Sequence, residues 1–272
     1  MNSLALLGRY YAASMRAQMQ YPASAIMLGI GAFLVTIIDM LAVWALFDRF
    51  GQVQGWGLGD IAVFYGVISA SFAITDFFTR GFDIFGSAFV KTGAFDRVLL
   101  RPRSPTLQLI GYEFRLSRFG RLAQALLVLF VGAALVDLQW TPEKAVLLAW
   151  TIAGGVALFA GLMVLQASFA FWTTESLEVF NVLTYGGVQA GQFPLSLYAG
   201  WFRNLLIFIV PIGCVAYYPV LALLDQPDPL GAPAWWLPTA PAMGFLFLAA
   251  PSSPGAPASP ATPRRGAEGR WR

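Results

Sequence analysis

Histidine is absent from the 272 residues, and cysteine occurs once, as Cys214. The first absence removes the commonest metal ligand and the side chain that titrates near neutrality. Histidine-ligated haem, His-based zinc hydrolysis and histidine proton relays are therefore excluded within this chain, as is any Ser/His/Asp nucleophile. The second leaves no internal disulfide. Charge is scarce too: 11% of residues are charged, against roughly 25% in soluble domains. Lysine occurs only at Lys91 and Lys144, and neither completes a GxxxxGK[ST] phosphate loop. Phe85 and Val90 stand where glycines are required before Lys91, and Ala145 follows Lys144. Any ATP hydrolysis must come from another chain.

Apolar sequence is what the chain has in quantity, at 58% hydrophobic residues. A soluble core of this size could not hide so much of it. An all-α polytopic membrane protein is expected, with one membrane domain over residues 1–250. Windows of about 20 residues, matched to a hydrocarbon core ~30 Å thick, select spans at 24–47, 61–78, 119–136, 145–172, 179–198 and 235–250. The apolar stretch 202–224 is interrupted by Pro211 and Pro219. It reads as a re-entrant helix pair, with a Pro-kinked span as the alternative. Residues Met1–Gln20 lack a signal-peptide pattern. Leu4, Leu7, Tyr11, Met15 and Met19 instead give an interfacial helix one apolar side; the plainer alternative is a frayed terminus.

Basic residues set the orientation. With the N-terminus cytoplasmic and an even number of crossings, only Arg49, Lys144 and Arg203 fall outside, which satisfies the positive-inside rule. Eight of the inside residues lie between Thr79 and Arg121, so the loop 79–118 is predicted to be cytoplasmic. Within it Phe82, Phe85 and Phe89 recur at i, i+3 and i+7. They give a short helix an aromatic face suited to a partner's groove, or alternatively to the lipid interface. Two carboxylates, Asp39 and Asp76, fall within predicted spans and are candidate functional residues because burial in lipid is costly. The alternative for Asp39 is a hydrogen bond to a neighbouring helix.

The stretch GAFDRVLLRPRSP, Gly93–Pro105, resembles the G-x-x-D-x-x-L-x-R-P signature of ABC-2 family permeases, the membrane subunits of type-2 ABC exporters. The Gly55-Trp56 loop leading to Phe64-Tyr65-Gly66 agrees in order, as does the run from Phe193 to Pro219. The resemblance covers about residues 5–248. It implies a coupling helix at Phe82–Thr92 that touches an ATPase subunit, with Gly93, Asp96, Leu99, Arg101 and Pro102 fixing its position. Glu175 and Glu178 would reach the same cytoplasmic face. It further implies export in a bacterial inner membrane by alternating access, through a dimer with a second copy or a paralogous permease. The dimer would be paired with two copies of an ABC ATPase that hold the ATP and magnesium. No metal, cofactor or nucleic acid is expected on this chain, whose other partner is the bilayer.

The tail parts from that resemblance. Residues 251–272 carry five prolines and are expected to be a disordered Pro/Ala/Arg-rich segment, hypothesised to be a frame-shifted or truncated end. Two competing functions remain open at this level. One is an ion-coupled secondary transporter using Asp39, Asp76 and the broken segment. The other is a non-transporting scaffold that docks through its phenylalanine face.

Overall fold

In lipid a backbone must satisfy its own polar groups, so long apolar runs fold as helices. The computed structural model describes residues 3–172 and 177–252. It is helical, with no strand among the described residues beyond one isolated bridge between Val53 and Trp56. In chain order come α1 (Ser3–Gln18), α2 (Pro22–Phe50) and α3 (Leu58–Asp83). After a π-helical turn at Phe85–Val90 follow α4 (Ala94–Leu99), α5 (Pro105–Ile110), α6 (Arg118–Leu135), α7 (Pro142–Phe169) and α8 (Leu177–Gly191). The remaining elements are α9 (Gly200–Asn204), α10 (Ile212–Val215), α11 (Tyr217–Leu223), α12 (Trp236–Thr239) and α13 (Ala242–Ser252). Glu175 and the tail from residue 253 lie outside the described residues.

Among the described residues, α2, α3 with its extension to Val90, α6 and α7 are long and apolar enough to cross a membrane. The middle helix of the bundle is α3, which is buried along most of its length. It packs on α6 and α7 on its two sides. Helix association in lipid has little hydrophobic drive and depends on close packing, which small residues permit. At Gly66 of α3 a methyl group would sit 2.6 Å from the Leu129 Cα of α6; at Gly132 of α6 it would sit 2.7 Å from the Ala62 Cβ of α3. By contrast α2 lies at the edge of the bundle, with no buried residue in its most apolar stretch.

Three boundaries differ from the sequence expectation, each for a local reason. No proline intervenes between Phe78 and Gly93, so the helical path of α3 continues through the π-helical turn to Val90, 33 residues in all, and the loop expected from residue 79 opens only at Lys91. Conversely, α8 ends at Gly191 rather than reaching Tyr198. Pro194 follows and Leu195–Leu197 tightens into a 3-10 turn. The last apolar helix is broken at Ala240–Pro241 into α12 and α13. Pro211 breaks the stretch 202–224: its arms, Gly200–Ile209 and Ile212–Leu223, meet at 73°. The second arm is largely buried around Ile212, Cys214, Tyr217 and Leu221.

Tyr11, at one edge of the expected apolar side, joins Ser14 and Gln18 in holding the N-terminal helix to the rest of the chain. Ser14 Oγ donates to the Phe114 carbonyl at 2.7 Å, Tyr11 Oη to the Ile110 carbonyl at 3.2 Å, and the Leu116 amide to Gln18 Oε1 at 2.9 Å. Met15 and Met19 are exposed. Polar groups therefore hold α1 to the segment before α6, a role that apolar periodicity does not reveal.

Candidate coupling surface and intramembrane cleft

The extension of α3 gives this end of the bundle its geometry. Phe82, Phe85 and Phe89 are buried rather than presented outward. Phe85 meets Phe95 at 5.0 Å and Phe171 at 5.3 Å between ring centroids, and Phe89 meets Tyr112 at 4.9 Å. This corrects the expected aromatic docking face. The periodicity was real, but α4, the segment after α5 and the end of α7 pack around this continuation of α3, and its rings fill that junction.

What faces outward is the signature itself. Gly93 adopts φ +67°, a left-handed conformation that costs a residue with a side chain about 1 kcal/mol or more, and so turns the chain from the π-helical segment into α4. The Thr92 hydroxyl donates to the Ala88 carbonyl and accepts from the Ala94 amide at 3.3 Å, which closes the turn. Asp96 sits in the first turn of α4, where the helix dipole favours an anion. Leu99 and Leu100 are 54% and 85% exposed, beside exposed Arg97, Arg101, Pro102 and Arg103. Glu178, at the start of α8, is also exposed.

Gln108 is the residue that sequence reasoning missed. Buried on α5, it donates to the carbonyls of Val98 at 3.0 Å and Arg103 at 3.2 Å, and its Oε1 accepts from Arg101 at 3.5 Å. One amide thus pins both ends of the signature loop. No spacing rule would have singled it out, because its partners are backbone carbonyls.

Asp76, a candidate functional carboxylate, is 5% exposed and already paired. Arg118 at the start of α6 approaches it at 3.3 Å and also donates to the Asp76 carbonyl, while Arg121 bonds the same carboxylate oxygen. Arg80 pairs with Asp83 at 2.5 Å, and the Asp83 carbonyl accepts from Gln166 of α7 at 2.9 Å. These contacts tie α3 to α6 and α7 near the exposed segment Lys91–Arg103.

Asp39 is placed differently. It lies midway along α2, exposed, at the wall of a cleft of about 310 Å³ between α2, α3, α6 and α8. Tyr65, Ser69, Phe72, Gln124, Tyr185 and Gln189 are among the other lining residues. Tyr65 Oη donates to the Thr36 carbonyl at 3.2 Å. Gln124 Nε2 lies 3.4 Å from that hydroxyl and Gln192 Nε2 lies 3.4 Å from Ser69 Oγ.

A bundle of long apolar helices, with a cleft at one level and an exposed basic segment at one end, is the fold of a polytopic membrane protein. A family model described as "ABC-2 family transporter protein" matches residues 33–252. The chain belongs to this family and is a membrane permease of an ABC transporter. Neither curated proteins nor solved structures give a match.

Proposed function

We infer that the chain is the membrane-spanning half of an exporter, working as a dimer of two permeases with two separate ABC ATPase chains in a bacterial inner membrane, N-terminus inside. The observation that carries this reading is the exposed surface Lys91–Arg103, held rigidly at the end of α3 by Gly93 and Gln108. Two neighbouring exposed leucines within a basic rim suit a protein partner better than solvent. ATP and magnesium belong to that partner. Six crossings, with 202–224 as a re-entrant pair, keep the basic segments on one side, and the 73° bend supports this.

The mechanism is mechanical. ATP binding closes the ATPase dimer and displaces the surface Lys91–Arg103, and the two membrane halves rock between inward and outward openings. Transport requires only that the two states differ in affinity for the substrate. The secondary-transporter reading loses one of its two carboxylates, because Asp76 is committed to Arg118 and Arg121.

The test is co-expression with ABC ATPase chains and isolation on a tag carried by this chain, reading ATP hydrolysis in the complex. Hydrolysis should accompany the unmodified chain. It should be lost in Leu100→Asp combined with Arg97→Glu, with unchanged thermal unfolding of the bundle. Undiminished hydrolysis in that variant, or no association by the unmodified chain, would overturn the reading.

A further inference from the structure

The Asp39 carboxylate is costly where it stands. At ~1.5 Å per residue it lies about 16 Å from the Phe50 end of α2 and about 26 Å from the Pro22 end. A charge at such depth needs a partner, and carboxylates there usually find one within the bundle. Among the described residues no cation pairs with Asp39 and no donor bonds its carboxylate. The cation nearest in the cleft lining, Arg121, is held by Asp76. Tyr65, which could have donated to it, is directed to the Thr36 carbonyl instead.

Three aromatic rings share the wall with polar and small aliphatic residues. Phe72 and Tyr185 stand edge to face with ring centroids 5.3 Å apart, and Tyr65 completes the lining near Asp39. A carboxylate without an ion-pair partner that shares a cleft with aromatic rings is the chemistry that holds organic cations: the charge attracts and the ring quadrupoles add to it. Gln124 and Gln189 supply hydrogen-bonding groups that can orient a polar substituent without opposing the charge.

We propose that this cleft is a substrate site for a hydrophobic organic cation, anchored by Asp39 and seated against Phe72 and Tyr185. It rests on the permease reading, for which it names the substrate class. A second copy of the chain covering Asp39 is the rival occupant, and the test separates the two.

The experiment is equilibrium binding of methyltriphenylphosphonium to the full chain in lipid nanodiscs, with empty discs subtracted. Triphenylphosphine oxide, nearly the same shape without net charge, serves as the control. The cation should bind saturably and at least tenfold tighter than the oxide. Asp39→Asn should abolish that preference, Asp39→Glu should keep it within threefold, and Phe72→Leu should weaken cation binding severalfold. Cation binding unchanged in Asp39→Asn overturns the proposal; so does an equal loss for both probes, which would mean that the variant merely deforms the cleft. A change of oligomeric state in Asp39→Asn with binding intact assigns the carboxylate to an interface instead. The permease reading fails separately: absence of ATPase association, with cation binding preserved, would sink that reading and leave the cleft standing.

Discussion

Removing the charge at Asp76 should be the most damaging single-atom-scale change in the bundle. The Asp76 side chain is 7% exposed and that of Arg118 4%, so Asp76→Asn leaves a guanidinium buried without its counter-ion. Breaking a buried pair from one side costs about 3–5 kcal/mol, whereas replacing both members with apolar residues of similar volume is often nearly neutral. Arg121 reaches the same carboxylate but is 36% exposed, and pairs so open to solvent are worth about 0–1 kcal/mol. The expected order is therefore Asp76→Asn and Arg118→Ala at about 3–5 kcal/mol, Arg121→Ala below about 1 kcal/mol, and Asp76→Leu with Arg118→Met well below the sum of its parts. The assay is reversible unfolding of the chain in mixed detergent micelles, arranged as a double-mutant cycle. A rival expectation exists, because polar contacts between membrane helices average only about 0.6 kcal/mol in such cycles. If Asp76→Asn costs no more than that, or if Arg121→Ala costs as much as Arg118→Ala, then water or headgroups reach the pair and the argument from burial is wrong.

Other positions give sharper local tests. Gly66→Ala places a methyl group 2.5 Å from the Leu129 Cβ and 2.6 Å from its Cα, so overpacking should cost about 1–3 kcal/mol in the same unfolding assay; an unchanged midpoint would mean that α3 and α6 separate freely. Gly93→Ala, at φ +67°, should lower stability by about 1–2 kcal/mol and reduce ATPase association, while Gly93→Asn should be milder because asparagine visits that region more readily; equal behaviour of the two would refute the backbone argument. Gln108→Leu strips the Val98 and Arg103 carbonyls of their donor, so limited trypsin cleavage after Arg97 and Arg103 should quicken severalfold; an unchanged digestion pattern would show that other contacts hold the loop.

The class of this chain was legible because lipid leaves so few solutions. Long apolar runs must be helices, and α2, α6 and α7 fall close to where hydropathy puts them. The signature Gly93–Pro102 was legible only through its resemblance to a known family; the structure adds the reason for its glycine, a turn at positive φ. Which way a helix face points was not. The periodicity of Phe82, Phe85 and Phe89 says only that the three rings share a side; whether that side meets a partner or the chain itself depends on α5 and Phe171, remote in sequence. Asp39 and Asp76 likewise look alike along the chain. Only the placement of Arg118 against α3 separates a structural ion pair from a carboxylate left for something else. Gln108 and the Ser14–Phe114 contact escaped because a side chain bonding to backbone carries no partner residue in its pattern.

One helix connects the two levels of the site. From Leu58 to Val90 it runs about 50 Å at ~1.5 Å per residue, carrying Tyr65, Ser69 and Phe72 in the cleft, Asp76 at the ion pairs, and Phe85 and Phe89 at the junction beneath the coupling surface. On the proposed mechanism a displacement of Lys91–Arg103 is delivered to the cleft through α3 itself rather than through a chain of side-chain contacts. The partners of α3 would then decide which walls of the cleft move with it. Held by Arg118 and by the close contact at Gly66, α6 travels with α3 and brings Gln124 along. Helix α2 is tied in as well, because its Thr36 carbonyl accepts from Tyr65 and its Gly29 packs on Gly120 of α6, so Asp39 and Gln124 would move as one wall against Tyr185 of α8, a helix that packs far less extensively on α3. A cation held between them would be gripped in one state and released in the other, which is the difference in affinity that directional transport requires.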